Sequence, residues 1–96
     1  MKYSQDGTLW YNQEDGVYTI GITDQALDDW GKIEFMNISP KGTLLEVNDS
    51  LAEVEAEKAV TDIPSPVAGE IIEVFEMDYN QSIPQSQRYL AKVAAK

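Results

Sequence analysis

Leu51-Ala52-Glu53-Val54-Glu55-Ala56-Glu57-Lys58-Ala59-Val60-Thr61-Asp62-Ile63 brings two alternating runs together at a single lysine. From Ala52 to Glu57 small or apolar residues alternate with glutamates, the period-two pattern of a strand with one buried and one wet face. A second apolar-rich run, 59–63, follows at once, so the chain must turn back at Lys58. Two strands joined this closely make a β-hairpin, and the tip of a hairpin holds its side chain out in solvent. Glu55, Glu57 and Asp62 keep the neighbourhood of that lysine polar.

On either side of it, the same short alternating runs recur at 8–12, 17–23, 32–38, 43–47, 70–75 and 88–93. They are punctuated by Asp15-Gly16, Pro40-Lys41-Gly42, Asn48-Asp49-Ser50, Pro64-Ser65-Pro66 and Ala68-Gly69, which are turn signals. The chain therefore reads as all-β. One segment departs from the pattern. Asp24–Trp30 spaces Ala26, Leu27 and Trp30 as one face of a helix, with Thr23 as N-cap, Asp24 in the first turn and Gly31 as C-cap. Two turns are too short to stand alone, so the Leu27/Trp30 side is expected to rest on the sheet.

An internal echo adds to this. Gly42-Thr43-Leu44-Leu45-Glu46-Val47 resembles Gly69-Glu70-Ile71-Ile72-Glu73-Val74, and Leu51-Ala52-Glu53-Val54-Glu55-Ala56 resembles Leu90-Ala91-Lys92-Val93-Ala94-Ala95. The copies are separated by 3 residues (48–50) in the first case and 15 (75–89) in the second. Two such units predict two sheets about a quasi-two-fold axis, since a solenoid needs about three or more repeats. The expectation is that Val47 and Val74 are buried equivalents, as are Leu51 and Leu90. Trp10, Trp30, Tyr18, Phe35 and Phe75 read as packing residues, with Met36 as filler.

Composition narrows the function. The 96 residues carry 7 Lys and Arg against 17 Asp and Glu, a formal charge of 7 − 17 = −10, with 43% apolar residues. That suffices for one small core, and residues 1–96 read as one domain. So acidic a chain lacks the positive footprint that nucleic acid or an anionic membrane requires. Neither His nor Cys is present. Imidazole general bases, Ser-His-Asp triads, thiolate nucleophiles and the common metal-ligand sets are excluded with them, so neither catalytic nor metal-binding residues are expected. No apolar run approaches the roughly 18 residues of a membrane span, and the expectation is a cytoplasmic monomer.

Val54-Glu55-Ala56-Glu57-Lys58-Ala59-Val60-Thr61-Asp62-Ile63-Pro64-Ser65-Pro66-Val67-Ala68-Gly69-Glu70 resembles the lipoyl-lysine hairpin of the glycine cleavage system H proteins. The likeness runs on through Val17-Tyr18-Thr19-Ile20-Gly21-Ile22-Thr23, Gly31-Lys32-Ile33, the Pro40-Lys41-Gly42 turn and Gly69-Glu70-Ile71-Ile72-Glu73-Val74. Biotin carriers share the fold but usually set their lysine between methionines; here Glu57 and Ala59 flank it.

The resemblance implies a flattened β-barrel sandwich (a barrel-sandwich hybrid) with one or two short helices. It implies lipoate joined as an amide to the Lys58 ε-nitrogen, no catalytic residue, and a carrier role. The implied partners are a lipoate ligase or a lipoyl/octanoyl transferase for loading. Glycine decarboxylase, aminomethyltransferase and dihydrolipoamide dehydrogenase are implied for use. Departures from the family pattern are Thr8-Leu9-Trp10 where His-Glu-Trp is usual, Phe75 where Asn is common, Arg88-Tyr89-Leu90 in place of Gly-Trp-Leu, and an abbreviated 76–87. They predict ready lipoylation with weak support of glycine cleavage. The alternatives are a shortened H-like lipoylated substrate of a macrodomain–sirtuin circuit, in which Asp24, Asp28 and Asp29 would be modification acceptors, and an unmodified acidic adaptor.

Overall fold

The computed structural model describes residues 1–96. The strands are β1 (Lys2–Tyr3), β2 (Leu9–Glu14), β3 (Val17–Ile22), β4 (Ile33–Ile38), β5 (Leu44–Leu45), β6 (Ser50–Ala56), β7 (Val60–Pro64), β8 (Gly69–Val74) and β9 (Tyr89–Ala95). One helix, α1 (Asp24–Trp30), follows β3, and a single 3₁₀ turn, Gln85–Gln87, precedes β9. All strand pairs are antiparallel, in two sheets. One runs β1-β2-β3-β9-β8-β5 and the other β4-β6-β7. Their inner faces close on a core that includes Leu9, Ile20, Leu51, Val54, Ile71, Leu90 and Val93. This is the expected β sandwich.

Local chemistry explains the elements. Glu14 pairs with Val17 across Asp15-Gly16, whose φ values of 51° and 78° are those of the two-residue turn that matches strand twist. Helix α1 occupies the residues expected of it. Thr23 is extended (φ −81°, ψ 161°), and its Oγ1 accepts the Ala26 N–H, while the Gly31 N–H closes the helix on the Leu27 carbonyl at 2.8 Å. Ala26 and Trp30 are buried and Leu27 half-buried, so the helix rests its apolar side on the sheets.

Trp10 is buried on the other face of the six-stranded sheet, outside the main core. Its ring lies over Gly21, where a Cβ would stand 2.2 Å from the ring atoms. Its Nε1–H donates to the Gln85 carbonyl at 2.7 Å, and Tyr89 meets it edge-on, with Phe75 tilted against Tyr89. Tyr18 is half-buried, edge-on to Tyr11, and Met36 packs against the core.

The internal echo is real in the central strands and fails in the strands before them. β6 and β9 each lie between two antiparallel neighbours at the middle of a sheet. Leu51/Leu90, Ala52/Ala91 and Val54/Val93 are buried in both copies. Register shifts at Ser50/Ala52 against β7 and at Ile20/Gly21 against β9 make Leu51 and Leu90 the extra residue of a β-bulge in each copy. Upstream the phase differs by one. Leu44 is exposed where its counterpart Ile71 is buried, and Val47 is 55% exposed where Val74 is half-buried against the core. The reason is that β5 stops at Leu45, leaving Val47 in a turn, whereas β8 continues to Val74 past a bulge at Ile72. Val47 and Val74 are therefore not equivalents.

Phe35 is a second correction. It is 53% exposed. Strict alternation from buried Ile33 would point it inward, but the register shift between Ile33 and Phe35 inserts Glu34 as an extra residue and turns Phe35 out.

Candidate functional site

Lys58 stands where the sequence places it, between β6 and β7, with its side chain exposed. The turn Ala56-Glu57-Lys58-Ala59 is closed by the Ala56 N–H on the Ala59 carbonyl at 2.8 Å. Its backbone is not free. The Lys58 N–H donates to the Trp30 carbonyl and the Glu57 N–H to the Lys32 carbonyl, each at 2.8 Å. The last turn of a helix leaves carbonyls without partners, and a hairpin tip leaves amides without partners; Trp30 and Lys58 satisfy one another, and Lys32, just past the helix, accepts from Glu57.

Gly31 makes that contact feasible. At φ 75°, ψ −157° it occupies a region open essentially to glycine alone. A Cβ there would meet Glu57 Oε1 at 2.9 Å, Glu57 Cβ at 3.2 Å and Lys58 Cγ at 3.4 Å. The sequence marked Gly31 as a helix stop; its service as the seat of the lysine tip needed the tertiary contact. Gly31→Ala is expected to cost about 1–3 kcal/mol through the backbone conformation alone. Amide hydrogen exchange checks this: Glu57 and Lys58 should lose protection before the core strands do.

The amine itself is lightly held. Lys58 Nζ has one contact, the Asp28 carbonyl at 3.4 Å, and forms no ion pair. Asp28 and Asp29 are exposed on the helix, while Asp24 pairs with the buried Arg88 and takes the Gln85 side chain on its N–H. The chemistry offered is that of an exposed primary amine on a rigid seat, which fits an acyl group attached from outside.

Beyond this end, residues 75–80 lie along β4. Asn80 accepts the Ile33 N–H at 2.9 Å and donates to the Ile33 carbonyl at 2.7 Å, while the Tyr79 hydroxyl donates to the Tyr89 carbonyl at 2.8 Å. Burial, then the charge of Glu76, pushes the Tyr79 phenol well above its ordinary range. Neither residue stood out in the sequence, because their partners are backbone groups, which carry no side-chain signal.

A family model for the "Glycine cleavage H-protein" matches residues 1–89. The chain belongs to the glycine cleavage H-protein family. The H protein of Cronobacter sakazakii is 33% identical over 100 residues, covering 99% of this chain and 78% of that protein. Those of Escherichia coli and Alcanivorax borkumensis are 38% and 42% identical over 77% and 70% of this chain, which spans only 57% and 52% of their lengths. The crystal structure of a glycine cleavage system H protein from Mycobacterium marinum superposes with a TM-score of 0.82 at 26% identity, covering 97% of this chain and 81% of that one. H proteins are non-catalytic lipoyl carriers, so this H-family chain is a carrier and not an enzyme. No helix in it is long and apolar enough to cross a membrane.

Proposed function

We propose that residues 1–96 form one lipoyl-carrier domain, lipoylated on Lys58, that moves intermediates between the enzymes of glycine cleavage in the cytoplasm. The observation that carries this is the exposed Lys58 amine at a hairpin tip seated on α1, in a chain of the H-protein family. A lipoate ligase or a lipoyl/octanoyl transferase loads it. Glycine decarboxylase, aminomethyltransferase and dihydrolipoamide dehydrogenase use it.

Lysine suits the attachment because it can lose a proton and present a lone pair, which arginine does not. The amine attacks the activated carboxyl carbon of lipoate, the C–N bond forms, and the activating group leaves with its electron pair. The proton passes to the loading enzyme, and the formal charge of the chain falls from −10 to −11. Once bound, lipoate supplies the dithiolane chemistry. The chain supplies attachment, a fixed seat and surfaces for docking.

Co-expression with a lipoate ligase tests the first step. The expected result is one lipoyl increment in intact mass, mapped to the peptide containing Lys58; an unmodified chain overturns the reading. Glycine-dependent carbon dioxide exchange with purified glycine decarboxylase tests the second. Exchange is expected to require lipoylated Lys58 and to run below that of a longer H protein, because 76–87 is abbreviated. No exchange at full lipoylation removes glycine cleavage from the proposal.

A further inference from the structure

The outer face of the three-stranded sheet carries a pattern that the fold does not require. Two rows cross it just below the tip. Phe35, Glu55 and Val60 stand opposite one another on β4, β6 and β7, and Asn37, Glu53 and Asp62 form the next row. Val60 is 79% exposed and all six residues point into solvent, with Phe35, Glu53, Glu55, Val60 and Asp62 around a shallow depression of about 350 Å³. Phe35 and Val60 gain nothing from each other, since two strand spacings hold them about 10 Å apart.

The charges are also unrewarded. Glu53 and Asp62 are directly opposed like charges, an arrangement that destabilises a sheet. The molecule's two ion pairs, Arg88–Asp24 and Lys96–Glu46, lie elsewhere, so no cation answers Glu53, Glu55 or Asp62. Nor do carboxylates anywhere in the chain converge to hold a metal ion. Apolar side chains left in water beside mutually repelling carboxylates make sense once a partner covers them.

We propose that this face is the docking surface for the enzyme that attaches the acyl group to Lys58, a partner with a cationic rim around an apolar recess. The inference rests on the carrier reading above. It selects the attaching enzyme over later partners on reach. The bare lysine side chain is short, so an enzyme acting on its amine must touch the tip and the rows beside it. Partners of the lipoylated chain meet the end of a longer arm. Charge agrees, because an enzyme that activates a carboxylate as a mixed anhydride with phosphate holds an anionic phosphate beside the incoming amine and needs cations at that mouth. Phe35 and Val60 enter the recess, and Glu53, Glu55 and Asp62 meet the rim.

The test is steady-state lipoylation by a purified lipoate ligase with lipoate and ATP, on the intact chain. Two paired variants are compared with the wild type: Glu53→Gln with Asp62→Asn, and Phe35→Ser with Val60→Thr. Each is expected to raise KM about tenfold or more, with kcat little changed. The charge pair should also flatten the salt dependence of kcat/KM while its thermal midpoint holds or rises, because the opposed charges are gone. A docking loss joined to a stability gain is an outcome that general unfolding does not produce. Wild-type KM in both variants at low salt overturns the proposal, as does a KM raised only for glycine decarboxylase acting on the lipoylated chain. A wild type that never gains lipoate overturns the carrier reading itself, and this inference with it.

Discussion

Lys58→Arg is expected to take lipoylation from one group per chain to none. The guanidinium stays protonated at every accessible pH and has no lone pair to give to an activated acyl carbon. The fold should not register the change. The side chain is exposed and unpaired, and the two hydrogen bonds that seat the tip use the backbone N–H groups of Glu57 and Lys58, which the substitution keeps. Exposed replacements of this kind stay within about 0.5 kcal/mol. Intact mass after co-expression with a ligase, together with a thermal scan, reads both halves. Residual modification on Lys32 or Lys41 would show that the hairpin lysine is not the acceptor.

Leu90→Ala and Leu51→Ala should have the largest effects on stability. Both residues are fully buried, each at the bulge of a central strand. Removing a leucine side chain there loses transfer free energy and leaves a cavity that paired strands cannot collapse into, a cost of about 2–5 kcal/mol. Against a total of about 5–15 kcal/mol for a typical domain, either variant lies near the edge of folding. Val47→Ala is the contrast: with its side chain in solvent it should stay within about 0.5 kcal/mol. Urea unfolding of the three variants checks the ranking. Equal losses at Val47 and Leu51 would contradict the structure.

The helix was legible to the residue because Thr23, Asp24 and Gly31 are local signals, each acting within one turn. The hairpin and its lysine were legible for the same reason, with glutamates alternating up to Lys58. Phe35 departs from strict alternation because a bulge is an insertion between paired strands, and its cause lies in the partner strand as much as in its own. Val47 departs from Val74 because likeness of sequence does not fix where a strand stops. β1 carries no sequence signal because two exposed residues, Lys2 and Tyr3, show no alternation. The seat of the tip on Trp30 and Lys32 was illegible too: backbone carbonyls have no letter in the sequence.

That seat would also govern how an acyl arm carried on Lys58 explores space. With the Lys58 and Glu57 amides fastened to the Trp30 and Lys32 carbonyls, the pivot is fixed, and the volume the arm's end could visit is set by the arm alone. A loose hairpin would add its own excursions to that volume and dilute the reactive end at every partner's site. A fixed pivot would therefore keep the local concentration of the arm's end high, through two backbone hydrogen bonds and a glycine.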